Sequence, residues 1–182
     1  MGERLQELTQ IMLAAAQRAG ADAADAMAVD GLSLHIDVRS GALEQAERSE
    51  GIEIGLRVFL GRRQAVVSAS DTKAETIAAM AERAIAMARE APEDPYVGLA
   101  DASQLTTTRD ASSLDLADPG PEPDPAFLMN AAREAEAATL AVNGVSKAQG
   151  ASAGWSRTGV WLAATNGFSG GYSRTGASIS CT

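Results

Sequence analysis

The chain has 182 residues, enough for one sizeable core, with 46% hydrophobic residues, 4% aromatic residues and a mean hydropathy of −0.07, which suits a globular protein with a lean, alanine-rich interior. No apolar run reaches the roughly 20 residues of a membrane span, and the start MGERLQELTQ lacks the basic and apolar regions of a secretory leader, so a cytoplasmic protein is expected. The net charge is −9, of which Glu90 to Asp124 carries −8 with nine acids against Arg109 alone; a chain without a basic stripe is poorly suited to phosphate backbones, and direct nucleic-acid binding is not expected.

Leu5, Leu8, Ile11, Met12, Ala15 and Ala19 recur at helical spacing and predict an amphipathic helix from about Glu3 to Arg18, closed by Gly20. Asp25 to Asp30 reads as a short strand. After Gly31, Leu32, Leu34, Ile36 and Val38 alternate with polar residues until Ser40-Gly41 turns the chain, and Leu43 to Arg48 is a weaker strand. The central stretch, Ser49 to Ser70, puts Ile52, Ile54, Leu56, Val58 and Leu60 on one parity, broken only by Phe59. Gly61-Arg62 supplies its turn and Gln64 to Ser70 the returning strand. Thr72 to Glu75 fits a capping box, and Ile77, Met80, Ala81, Ala84, Met87 and Ala88 carry a second helix to about Arg89.

All six prolines lie between positions 92 and 125, within the acidic segment, so this stretch is expected to be extended or loop-like, with Tyr96, Val97 and Leu99 as local anchors. Asp124-Pro125 starts a third helix, carried by Phe127, Leu128, Ala131, Ala135, Ala138 and Leu140 and ended by Asn143-Gly144. Val145 to Ser156, Val160 to Thr165 and Phe168 to Cys181 read as strands, with Asn166-Gly167 as a hairpin turn. The fold class is α/β in content (α+β): a twisted, mostly antiparallel sheet covered by two or three helices.

Two stretches carry a resemblance. The pattern G-I-x-I-G-L-R-V-F-x-G-x-R-Q-x-x-x-S-x-S-D from Gly51 to Asp71 resembles the amino-terminal domain of the TldD/PmbA family, the modulators of DNA gyrase. Asn166 to Thr175 (NGFSGGYSRT) is similar to that family's second landmark and favours its PmbA (TldE) branch. The resemblance implies a two-subunit cytoplasmic peptidase acting on peptides or unfolded chains, linked to maturation of a peptide antibiotic, antitoxin degradation and gyrase modulation. It also implies that the TldD-type subunit carries a His-Glu-x-x-x-His zinc motif in its carboxy-terminal half. That motif has no counterpart here, so no catalytic or metal-ligating residue is carried over, and zinc is expected only in a TldD-like partner. On this reading residues 1–182 form a single amino-terminal domain of a larger protein: a helix-meander-helix over 1–90, an acidic proline-rich connector over 91–124, and a helix with late strands over 125–182, with the carboxy-terminal domain absent.

The residues themselves offer little catalytic chemistry. A zinc hydrolase gathers imidazoles or thiolates, and this chain has one histidine, His35, expected to face solvent or a neighbouring strand, and one cysteine, Cys181, expected to be a small apolar strand residue. The acids of the connector, among them Asp94 and Asp101, lack calcium-loop spacing. Gly167, Gly170 and Gly171 do not open a helix as a dinucleotide or phosphate loop would, no nucleophile elbow is expected among the serines, and a triad would have to recruit His35. What stands out is Trp155, Arg157, Trp161, Tyr172 and Arg174, which read either as the completion of a thin core or as interface anchors. The function expected is a noncatalytic subunit domain that shapes a peptide cleft, pairs with a TldD-like subunit and self-associates when isolated. The rival reading is a self-contained binding or assembly module whose acidic segment meets a basic partner.

Overall fold

A computed structural model describes residues 2–182. The elements are α1 (Gly2–Arg18), β1 (Ala23–Arg39), β2 (Ala42–Leu60), β3 (Arg63–Ala69), α2 (Ala74–Glu90), α3 (Pro125–Leu140), β4 (Ala151–Ala164) and β5 (Ser169–Cys181). Two single-turn 3-10 helices, Ala102–Gln104 and Ser112–Leu114, interrupt the connector. The strands form one five-stranded antiparallel sheet in the order β3-β2-β1-β4-β5, the α+β architecture expected from the pattern of elements. Among the described residues no helix is long and apolar enough to cross a membrane.

The chain divides into two units, and β1, β2, β4 and β5 contribute residues to both. The first takes the chain up to Asp30, with Gly51–Asp115 and Gly159–Tyr172. Its core lies between the helices and one parity of the strands: Leu5, Leu8 and Met12 of α1 and Ile77, Ala84 and Ile85 of α2 meet Ala24, Ala26, Ala28, Ile54, Leu56 and Val58. The β2–β3 hairpin pairs Leu60 with Arg63 across a two-residue turn, as the Gly61-Arg62 signal predicts. Phe59 breaks the alternation because it is buried on the other parity, where the Arg57 guanidinium lies 5.0 Å from its ring centroid and is held by the Asp25 carboxylate. The second unit takes Gly31–Glu50, Leu116–Thr158 and Ser173–Thr182. Here Leu128 and Ala132 of α3 pack on Leu34, Ile36, Val38, Ala151 and Ala153.

Several element boundaries differ from expectation for identifiable reasons. Gly31 does not break β1: its backbone stays in the extended region and the buried parity of Ala24, Ala26 and Ala28 resumes at Leu34, Ile36 and Val38. The two predicted strands around Arg48-Ser49 are likewise one strand, whose first ten residues, Ala42 to Gly51, are exposed throughout. The capping box at Thr72 does not form. Asp71 stands in for it, its carboxylate accepting from the Lys73 amide at 3.1 Å and the Thr76 hydroxyl at 2.8 Å. Residues 145–150 are not strand, so β4 begins at Ala151. Tyr96 is no anchor, since its side chain is 95% exposed.

Candidate functional site

Each unit has its own cleft. In the first, Met27, Val160, Leu162 and Tyr172 occupy strand positions that alternate with core residues such as Ala26, Ala28 and Ala163, so they point away from the helices. The connector from Thr106 to Leu114 lies over them, leaving a largely apolar cavity of about 320 Å³. Arg109 fastens this wall. Its guanidinium donates to the carbonyls of Gly167 and Ser169, at 3.3 and 3.4 Å, and stacks 5.6 Å from the Phe168 centroid. Asn166 ties the same connector down through a 2.9 Å bond to the Ala100 carbonyl. The Asp110 carboxylate is held below the usual aspartate range by the Ser112 amide and hydroxyl, and so stays ionised at the edge of the cavity.

In the second unit a cleft of about 400 Å³ is lined by Ser33, His35, Ser156 and Ser178, with Gly154 and Gly176 between them. His35 Nε2 meets Asp37 Oδ1 at 3.1 Å, and the same oxygen accepts from the Ser152 hydroxyl at 2.6 Å. The carboxylate thus fixes both neighbours. Contrary to the expectation that the serines hold no such spacing, Gly150-Ala151-Ser152-Ala153-Gly154 has the Gly-x-Ser-x-Gly spacing of a serine-hydrolase elbow. It lies at the start of a strand and not at a strand-to-helix turn, and Ser152 bonds to the aspartate rather than to the imidazole. A base that removes the hydroxyl proton has to contact it, so the row His35-Asp37-Ser152 is not a nucleophilic triad.

The five residues singled out from the sequence are distributed over both units. Trp155 and Arg157 come together in the second, the guanidinium 5.8 Å from the indole centroid, with Arg157 Nε buried and without a hydrogen-bond partner. Trp161 packs against the first core, its Nε1 donating to Ser169 Oγ at 3.1 Å. Tyr172 is 43% exposed on the wall of the first cavity, and Arg174 is exposed on β5 of the second unit. Missed altogether was Glu136. Although only 4% exposed, it accepts the amides of Ser40 and Gly41. Its spacing of four from Ala132 and eight from Leu128 puts it on the apolar face of α3, the one signal that marks it.

Comparison with known proteins agrees with the fold and the motifs. Residues 24–88 match the model of PmbA/TldA metallopeptidase domain 1, and residues 118–182 match that of the PmbA/TldA metallopeptidase central domain. The chain is 31% identical over 145 residues to Metalloprotease PmbA of Escherichia coli O157:H7, an alignment covering 79% of this chain and 31% of that protein. Among solved structures, it is similar to a candidate modulator of DNA gyrase from Bacteroides thetaiotaomicron, with a TM-score of 0.79 at 18% identity over 96% of this chain and 40% of that one. TldE from Thermococcus kodakarensis superposes with a TM-score of 0.75 at 12% identity, over 94% of this chain and 38% of that one. The chain thus spans about a third of the curated relative's length and about two fifths of the solved ones.

Proposed function

The chain belongs to the PmbA/TldD metallopeptidase family, and on that premise we propose that it is a noncatalytic subunit domain of a PmbA/TldD-type cytoplasmic peptidase, shaping the peptide cleft and pairing with a zinc-bearing TldD-like subunit. The donor chemistry of the chain is the observation that carries this reading. A catalytic zinc takes three protein ligands and keeps one position open. The chain has one imidazole and one thiol. His35 bonds Asp37, Cys181 packs against the apolar cluster around Leu128, and among the described residues no three His, Cys, Asp or Glu side chains gather where a metal could sit. The residues present do not fit a zinc site, and no hydrolytic step is assigned to them. The apolar cavity beneath the connector supports the cleft-shaping part, because about 320 Å³ accommodates a bulky apolar side chain of an unfolded substrate.

The test is reconstitution. The purified chain is expected to hold no stoichiometric zinc by elemental analysis and to leave unfolded substrate uncut. Co-purified with a zinc-bearing TldD-like subunit, it is expected to join a complex whose peptidase activity is lost on adding a chelator. One tightly bound zinc per isolated chain, or hydrolysis by the chain alone, overturns the assignment.

A further inference from the structure

The cleft of the second unit has the chemistry of a small polar binding site, and no part of the proposed peptidase role uses it. A carboxylate accepts hydrogen bonds and does not donate them, so Asp37 Oδ1 makes Nε2 the N–H of the neutral His35 ring and leaves the Nδ1 lone pair without that proton. Asp37 is itself fixed by Ser152, which holds the imidazole in one orientation through two linked bonds. Nδ1 faces the glycine floor: it lies 3.3 Å from the point a Cβ would occupy at Gly154, and Ser178 Oγ lies 3.3 Å from that same point. An acceptor and a hydroxyl therefore flank the bare backbone of Gly154 so closely that a methyl group there would press on both, and a ligand reaches them only from the cleft above the glycine.

We propose that this cleft binds an amide group, its N–H donating to His35 Nδ1 and its carbonyl accepting from Ser178 Oγ. An amide presents a donor and an acceptor on adjacent atoms, which matches the converging pair, whereas a carboxylate supplies no donor for Nδ1. The hydroxyls of Ser33 and Ser156 elsewhere along the cleft, and its volume of about 400 Å³, accommodate a ligand with two linked amides. Gly154 is the gatekeeper. Any Cβ there stands between the two recognition atoms.

His35 is the only histidine, so its ring nitrogens give a single set of NMR signals in the ¹⁵N-labelled chain. The probe is N-acetylglycine N′-methylamide, and the control is the analogue methylated on both amide nitrogens. The expected result is a saturable shift of the Nδ1 resonance with the first and at least tenfold weaker binding of the second. Gly154→Ala is expected to abolish the shift and Ser178→Ala to weaken binding several-fold. Equal responses to both compounds, or an undiminished response in folded Gly154→Ala, overturn the proposal. If circular dichroism shows Gly154→Ala to be unfolded, Ser178→Ala decides, and unchanged affinity there overturns it. None of these readouts depends on pairing with a zinc-bearing subunit, so the two proposals fail separately.

Discussion

The Glu136 carboxylate accepts the backbone amide of Gly41 at 2.7 Å through one oxygen and that of the neighbouring Ser40 at 2.8 Å through the other. Ser40 and Gly41 are the two central residues of the β1–β2 turn, and both have positive φ, 52° and 73°. Their amides project away from the ladder and would otherwise need water. Arg133, one turn earlier on α3, donates to the Gly41 carbonyl at 2.9 Å, so the helix reads both sides of the turn. Replacing Glu136 with Ala strands two amides beside a buried site and is expected to cost about 2 to 3 kcal/mol. Glu136→Gln keeps one acceptor and is expected to lose less. Urea denaturation of the two variants checks the order; equal stabilities for both and for the parent chain would refute the latch.

Asp71, Asp101 and Asp110 all have carboxyls held below the ordinary aspartate value. For Asp71 the chief cause is the Thr76 hydroxyl, then the Lys73 amide. For Asp101 it is the Ser103 hydroxyl, then its amide. For Asp110 the Ser112 amide comes first. A carboxyl depressed in the folded state binds protons less readily than in the unfolded chain, so its contribution is complete above the ordinary aspartate value and is lost as the pH falls through the depressed one. Carboxyl ¹³C titration is expected to place these three below the ordinary aspartate value. Amide exchange at Lys73 is expected to quicken as Asp71 protonates.

Gly171 leaves room for Trp161. A Cβ at Gly171 would run into the Val160 carbonyl and the indole ring itself. Gly171→Ala therefore forces the ring off its bond to Ser169 and away from the first core, an overpacking expected to cost about 1 to 3 kcal/mol. The check is thermal denaturation together with tryptophan emission, which should shift to the red as Trp161 gains water.

The helices were legible because three- and four-residue spacing of apolar side chains is a local signal, and α1 and α2 bury most of the stripes the spacing marks, although Ile11 and Met87 stay exposed while Leu13 and Ile85 are buried in addition. Strand parity was equally legible. Strand ends were not, since Gly31 and the charged run through Arg48 read as breaks, although nothing in an extended backbone forbids either. The late aromatic and arginine residues were visible as a concentration, yet their division between two units depends on tertiary contacts. The pairs that define the second cleft and the turn latch, Asp37 with Ser152 and Glu136 with Gly41, lie 115 and 95 positions apart. Local spacing cannot encode such pairs.

The connector is bound at discrete points rather than along its length. In the first unit Arg109 and the Ala100 carbonyl are the ties to the late hairpin, and in the second Leu116 and Asp118 bond Thr175 while Glu122 pairs with Arg48. Around Tyr96 the bonds run mainly within the segment itself, from Tyr96 and Val97 back to Asp94, and local opening there costs little. Limited chymotrypsin digestion is expected to cut first at Tyr96, with slower cleavage at the half-buried Phe168. Initial cleavage within β1 or α2 would contradict this ranking.

Self-association remains the expectation for a chain whose outermost strand, β5, exposes Tyr172 and Ile179. An isologous dimer satisfies equivalent edges at once. Trp161 is a poor probe of such an interface, because it packs on the first core and a charged replacement would unfold the chain. Tyr172 is the better one: it is 43% exposed on a cavity wall, so Tyr172→Lys is expected to keep native circular dichroism while raising the dimer dissociation constant about tenfold, the effect of losing roughly 1.4 kcal/mol at the contact. Light scattering across a concentration series reads both proteins. A parent chain that stays monomeric at the highest concentration, or a variant with the parent's dimer fraction, would remove β5 from the interface.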